Sequence, residues 1–96
     1  MDELMAQVEN RLRAALPVTS LALQDDSHLH AGHAGARSGR HFSLQITSPV
    51  FEGKTRVACH RLVYDAVADL MASRIHALAI DARPTLRDRV REALRV

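Results

Sequence analysis

The sequence predicts an α+β fold: a three-stranded mixed sheet with its helices packed on one face. Three observations carry that prediction. First, 96 residues are enough for one core without disulfides or a structural metal. Second, the hydrophobic period alternates between the helical 3.6 and the strand value of 2, in the order α-β-β-α-β-α. Third, the last two strands are separated by a helix, a connection that runs parallel and right-handed in one sheet, while the first two read as an antiparallel pair. The chain is read as a single domain over 1–96, with its core in about 2–82 and an Arg-rich C-terminal helix over 84–96.

Residues 2–16 form the first predicted helix. Leu4, Met5, Val8, Leu12, Ala15 and Leu16 recur at i, i+3, i+4 spacing, with Asp2 and Glu3 in the first turn and Arg11 and Arg13 near the last, as suits the helix dipole. Pro17 stops it. From Thr19 the period becomes 2, with Leu21 and Leu23 alternating with Ala22 and Gln24 in a strand that ends near Asp26. Residues 27–40 hold three of the four glycines and little a core can use. They read as a loop, longer than an ordinary hairpin turn and therefore a candidate for function.

In the next strand Phe42, Leu44 and Ile46 point one way and His41, Ser43, Gln45 and Thr47 the other. The segment 48–54, Ser-Pro-Val-Phe-Glu-Gly-Lys, is a turn with room for one helical turn. Residues 55–72 carry the longest helical pattern, in which Val57, Val63, Tyr64, Val67, Leu70 and Met71 share the apolar stripe and His60 fills its gap. Ile75–Ile80 is a short strand that places His76 on the same face as Leu78 and Ile80. Pro84 suits the first position of a final helix bearing Leu86, Val90 and Leu94. This skeleton is of the kind found in KH-like RNA-binding modules, a likeness of fold that by itself assigns no function.

Composition removes several function classes. Hydrophobic residues make up 47% and charged residues 25%, the balance of a globular chain and not of a disordered one. The aromatics are Tyr64, Phe42 and Phe51, too few for a base-stacking platform. One cysteine, Cys59, cannot make an internal disulfide framework or a zinc ribbon. No apolar run is long enough to span a bilayer, and the acidic start Met-Asp-Glu-Leu is unlike a secretory signal or transit peptide, so the expectation is a cytoplasmic protein. A formal net charge of +2 demands no polyanionic partner. The one local asymmetry is at the C-terminus, where Arg83, Arg87, Arg89, Arg91 and Arg95 stand against Asp88 and Glu92.

The same inventory argues against an enzyme. Cys59 and His60 are helix neighbours about 100° apart and do not face each other. Asp25 and Asp26 point to opposite sides of a strand end and read as its terminator. There is no nucleophile elbow, P-loop or dinucleotide fingerprint. Histidine is the unusual feature: six in all, three of them (His28, His30, His33) in the long loop. Imidazole ligates zinc, copper, nickel and iron, although the spacing fits no zinc finger. His76 adds to the case, because it opens an apolar strand where packing gives no reason for a polar residue.

At these residues the chain resembles the BolA family. Asp25-Asp26-Ser27-His28-Leu29-His30 and His41-Phe42 are similar to its Asp-Glu-Ser-His-X-His and His-Phe elements. Residues 48–54 resemble its Ser-X-X-Phe-X-Gly turn. His60-Arg61-Leu62-Val63-Tyr64 and Ile75-His76-Ala77-Leu78 resemble its His-Arg-X-Val-Tyr helix and His-Ala-Leu strand. The resemblance implies a KH-like αββαβ fold and a binding or adaptor role. It implies pairing with a monothiol glutaredoxin around a bridging [2Fe–2S] cluster, in iron–sulfur trafficking or iron homeostasis. The glutaredoxin cysteine and a glutathione thiolate would supply one side. This chain would supply His76 and a histidine of the long loop, His30 first and His33 in reserve. Imidazole ligation of one iron raises cluster potential and makes ligation sensitive to protonation.

The resemblance also implies an alternative, a DNA-binding transcriptional regulator using Lys54, Arg56, His60 and Arg61. Cys59 stands where the family often has arginine, which removes one cation from that surface. His28, His41 and His60 are read as structural. The isolated chain is expected to be a monomer or weak homodimer.

Overall fold

Asp2 starts the first helix: its carboxylate accepts a hydrogen bond from the Met5 N–H at 2.9 Å, and α1 then runs Glu3–Ala15. Leu16 is already extended, as the residue before a proline must be. The computed structural model describes residues 2–27 and 40–85. After α1 come β1 (Ser20–Asp25), β2 (Arg40–Thr47), a 3-10 turn at Pro49–Phe51, α2 (Arg56–Ala66), α3 (Ala68–Met71) and β3 (Ile75–Arg83). The final helix expected over 84–96 lies mostly outside the described residues. Among the described residues no helix is long and apolar enough to cross a membrane.

The sheet is mixed, in the order β1-β2-β3. β1 pairs antiparallel with β2, Leu21 opposite Ile46 and Leu23 opposite Leu44. β2 pairs parallel with β3, Phe42 opposite Leu78 and Leu44 opposite Ile80. Phe42, Leu44 and Ile46 are buried, as their alternation predicts, and with Ile75 and Leu78 they meet Leu4, Val8, Leu12 and Leu16 of the first helix segment. Cys59, Val63, Val67, Leu70 and Phe51 complete this one core. Burying a side chain of the Leu or Phe class contributes about 1.5–3 kcal/mol, so the helices are held to the sheet chiefly by this interior.

Two polar caps set the turn between β2 and α2. Ser48 is fully buried; its hydroxyl donates to the Pro17 carbonyl at 3.0 Å and accepts from the Val50 N–H at 3.2 Å. Gly53 has φ +75°, the left-handed conformation that favours glycine. Thr55 caps α2 by accepting from the Ala58 N–H at 3.1 Å.

Three expectations need correction. The helix over 55–72 is not continuous: Val67, at φ −115° and ψ 19°, divides it into α2 and α3. Its buried stripe is also displaced. Val57 and Tyr64 are exposed, at 64% and 39%, while Cys59 and Val63 face the core. The Thr55 cap fixes the helix phase, and Cys59–Val63 at i, i+4 is the face that phase turns inward. Finally, His76 does not share a face with Leu78 and Ile80. The β2–β3 register shifts between Arg40, opposite Ile75, and His41, opposite Ala77. His76 is the extra residue of this bulge, so Ile75 and Leu78 are both buried while His76 and Ala77 are exposed. The same strand runs on past Ile80 to Arg83, where Ile46 and Thr47 still offer it partners.

Candidate functional site

The bulge places an imidazole in solvent at one end of the sheet. His76 is exposed, and its ring centroid lies 4.9 Å from that of His41, with the planes tilted by 48°. The residues that flank the histidine-bearing segment meet at this same end. β1 stops at Asp25, paired with Phe42, and β2 begins at Arg40, beside Ile75. The Asp26 N–H donates to the His41 carbonyl at 2.8 Å, the His41 N–H to Ser27 Oγ at 3.1 Å, and the Arg40 N–H to the Arg74 carbonyl at 3.4 Å. Asp26 and Ser27, Arg40 and His41, and the start of β3 are thus joined at one corner. His28, His30 and His33 lie outside the described residues. Among the described residues no group of three His, Cys, Asp or Glu side chains is placed to hold a metal ion.

Arg40 and His41, being consecutive in a strand, point to opposite faces. Arg40 closes the helix side of the corner. Its guanidinium pairs with Asp2 at the start of α1 and with Asp25 at the end of β1, and lies 5.1 Å from the centre of the Phe42 ring. Hydrogen bonding from Ser27, with Arg40 adding to it, holds the Asp25 carboxyl at about 2, well below its ordinary 3.8. The Met5 N–H first, and Arg40 second, lower that of Asp2; the two carboxylates in turn raise that of Arg40. On the open face Asp26 accepts from Ser43 Oγ and from Gln24 Nε2. Asp25 and Asp26 therefore end the strand as expected, each bonded on its own side.

At the other end of β3 lies a second candidate. A groove of about 520 Å³ is walled by Lys54, Arg56 and His60 on one side and by Asp81 and Arg83 on the other, with Phe51 and Cys59 also lining it. Arg83 pairs with Asp81 at 2.7 Å, which raises the Arg83 pKa and offsets part of the groove's charge. His60 is half-buried in this wall, and Arg61 is exposed and is not part of the lining. Of the four residues expected to meet nucleic acid, three are brought together here. Cys59 is buried, its thiol directed at the Phe51 carbonyl at 3.8 Å, the packed filler its position implied.

Sequence reasoning missed Arg40, counted Arg83 only within the basic C-terminal run, and gave His41 only a structural part. Arg40 falls at the end of the segment that the sequence reads as a loop, whereas β2 already begins there, and Asp25 and Asp26 read only as the terminator of β1; the bulge that brings His41 against His76 left no mark in the residue pattern.

Residues 12–85 match the family described as BolA-like protein. The chain is 39% identical over 83 residues to SufE-like protein 1, chloroplastic/mitochondrial, of Arabidopsis thaliana, covering 80% of this chain but only 22% of that much longer protein. It is 34% identical over 74 residues to the DNA-binding transcriptional regulator BolA of Escherichia coli (strain K12), covering 77% of this chain and 69% of the regulator. Among solved structures it superposes on the BolA domain of SufE1 from Arabidopsis thaliana with a TM-score of 0.78 at 36% identity, over 91% of this chain and 98% of that one. With the predicted αββαβ architecture present and a family match spanning most of its length, the chain belongs to the BolA-like proteins.

Proposed function

We propose that this protein is a binding adaptor that pairs with a monothiol glutaredoxin and completes a bridging [2Fe–2S] site with His76. The observation that carries this reading is the solvent-facing imidazole of His76 in the β3 bulge, at the corner where the histidine loop is tethered. The donor set fits such a group in one respect. The described residues offer one exposed neutral-type ligand, and the remaining donors come from the loop histidines, His30 or His33, and from thiolates of another molecule. A ligand set divided between proteins suits a cluster that is to be handed on, and imidazole on one iron raises its potential. This chain's own part is to present His76, to tether the loop through Ser27, Asp26 and Arg40, and to hold that geometry on a rigid sheet.

The experiment is anaerobic mixing of this protein with a monothiol glutaredoxin, glutathione, iron and sulfide. The expected product is a coloured 1:1 heterodimer with two irons per pair. A colourless mixture, or colour confined to a glutaredoxin homodimer, would contradict the proposal.

The second reading, a DNA-binding regulator, is favoured by the groove that gathers Lys54, Arg56, His60 and Arg83 and by the similarity to the regulator from Escherichia coli. Its test is a salt titration of binding to duplex DNA, in which binding falls steeply as counterions compete.

A further inference from the structure

Three attachments of His41 each reach a part of the chain that carries or borders a candidate ligand. Its N–H donates to Ser27 Oγ at 3.1 Å and its carbonyl accepts from the Asp26 N–H at 2.8 Å. These bonds secure the last described residues before the histidine loop. Its ring sits 4.9 Å from that of His76. His41 is opposite Ala77 in the β2–β3 ladder, so the bulge at His76 opens directly beside it.

A bulged residue is displaced from the regular ladder, and its side chain takes its direction from what it packs against. Here one such neighbour is a flat ring carried by the central strand of the sheet, which is paired on both sides. His41 itself is poorly placed to ligate a group shared with another protein, because its Nε2 is shut off from solvent whereas His76 is exposed.

We infer that His41 is the positioning residue of the metal corner: its ring sets the direction of the His76 imidazole while its backbone holds Asp26 and Ser27. The inference rests on the reading of His76 as a ligand. Metal sites depend on such outer residues, whose loss costs about 10–100-fold in affinity.

The test compares His41→Ala, His41→Phe and His76→Ala in the reconstituted heterodimer, read by visible circular dichroism and by the rate of iron loss to a chelator. His41→Ala is expected to change the visible spectrum and to release iron about tenfold faster. His41→Phe, which keeps a flat ring without nitrogen, should restore both. An unchanged spectrum and rate in His41→Ala would overturn the inference. So would His41→Phe behaving like His76→Ala, which would make His41 a ligand. Where alanine leaves the chain unfolded, His41→Gln carries the same comparison.

A second arm separates this inference from the reading beneath it. In the isolated chain, the ring proton resonances of His76 should move in His41→Ala and stay near their wild-type positions in His41→Phe. Resonances that do not move in His41→Ala would overturn the positioning role whatever the cluster does. An unchanged cluster in His76→Ala would instead remove the ligand itself.

Discussion

The two ends of β3 are built in different ways. His76 and Arg83 are seven residues apart, roughly 23 Å along a strand at about 3.3 Å per residue. At the first end, residues from α1, β1, β2 and β3 interlock. Arg40 joins Asp2 to Asp25, His41 holds Asp26 and Ser27, and its ring meets His76. At the other end, the side chains of Lys54, Arg56 and Arg83 surround a groove, one of them already paired with Asp81. The first arrangement fixes directions, as ligation requires. The second accumulates charge on long side chains, which suits contact with an anion whose exact position matters less. The contrast marks the His76 corner as the more specialised region and leaves the groove as an accumulation of charge.

The contrast is broken most directly by substitutions that separate the two ends. His76→Ala should release iron from the reconstituted heterodimer about 10–100-fold faster. The exposure of His76 means that urea denaturation of the isolated chain should change by no more than about 0.5 kcal/mol. The triple substitution Lys54→Ala, Arg56→Ala and Arg83→Ala should leave iron release as it is. Faster release in the triple variant would show that the groove takes part in holding the cluster.

Ser48→Ala addresses the support beneath the groove. It removes the bonds to the Pro17 carbonyl and the Val50 N–H from a fully buried position, and should cost about 1–2 kcal/mol in urea denaturation. It should not alter the visible spectrum of the reconstituted complex.

Asp25→Asn weakens the corner through its charge. The folded carboxyl lies at about 2, below the 3.8 of an unperturbed aspartate. Its stabilisation is therefore complete above pH about 4 and fades as pH falls towards 2. The wild type should exceed Asp25→Asn by on the order of 1 kcal/mol at pH 7, after allowing for the partly exposed setting of the pair. Urea denaturation at pH 7, 4 and 2.5 should show that gap closing only between the last two. A gap that widens on acidification would contradict the sign.

The smallest expected effect belongs to the groove. For whatever duplex DNA binding the chain shows, each of Lys54→Ala and Arg56→Ala should reduce the slope of log K against log salt by about one unit. A preserved slope would place the contact elsewhere.

What was legible in the sequence follows from which signals are local. Asp2 as a helix start, Pro17 as its stop, and the alternation of Phe42, Leu44 and Ile46 are each written in a few adjacent residues, and the structure follows them. The stripe on α2 lies one face away from the sequence reading, because Val57 is as apolar as Val63 and Tyr64 carries a large apolar ring whose hydroxyl finds the Leu78 carbonyl at 3.1 Å. Only the Thr55 cap and the packing on Phe51 decide which pair turns inward. The bulge at His76 is a product of strand pairing. Strict alternation would bury His76 with Leu78, and only the fit of Ile75 beside Arg40 shows why the chain spends an extra residue there. His76 could therefore be singled out from sequence as a candidate ligand, but its exposure and its contact with His41 could not.

The central claim is that an imidazole of this chain ligates the shared cluster, and its most direct test is pulsed electron paramagnetic resonance of the reduced heterodimer. Wild type should show nitrogen-14 couplings of directly bound imidazole, with the contribution of His76 lost in His76→Ala. Identical nitrogen couplings in the two proteins would contradict the account.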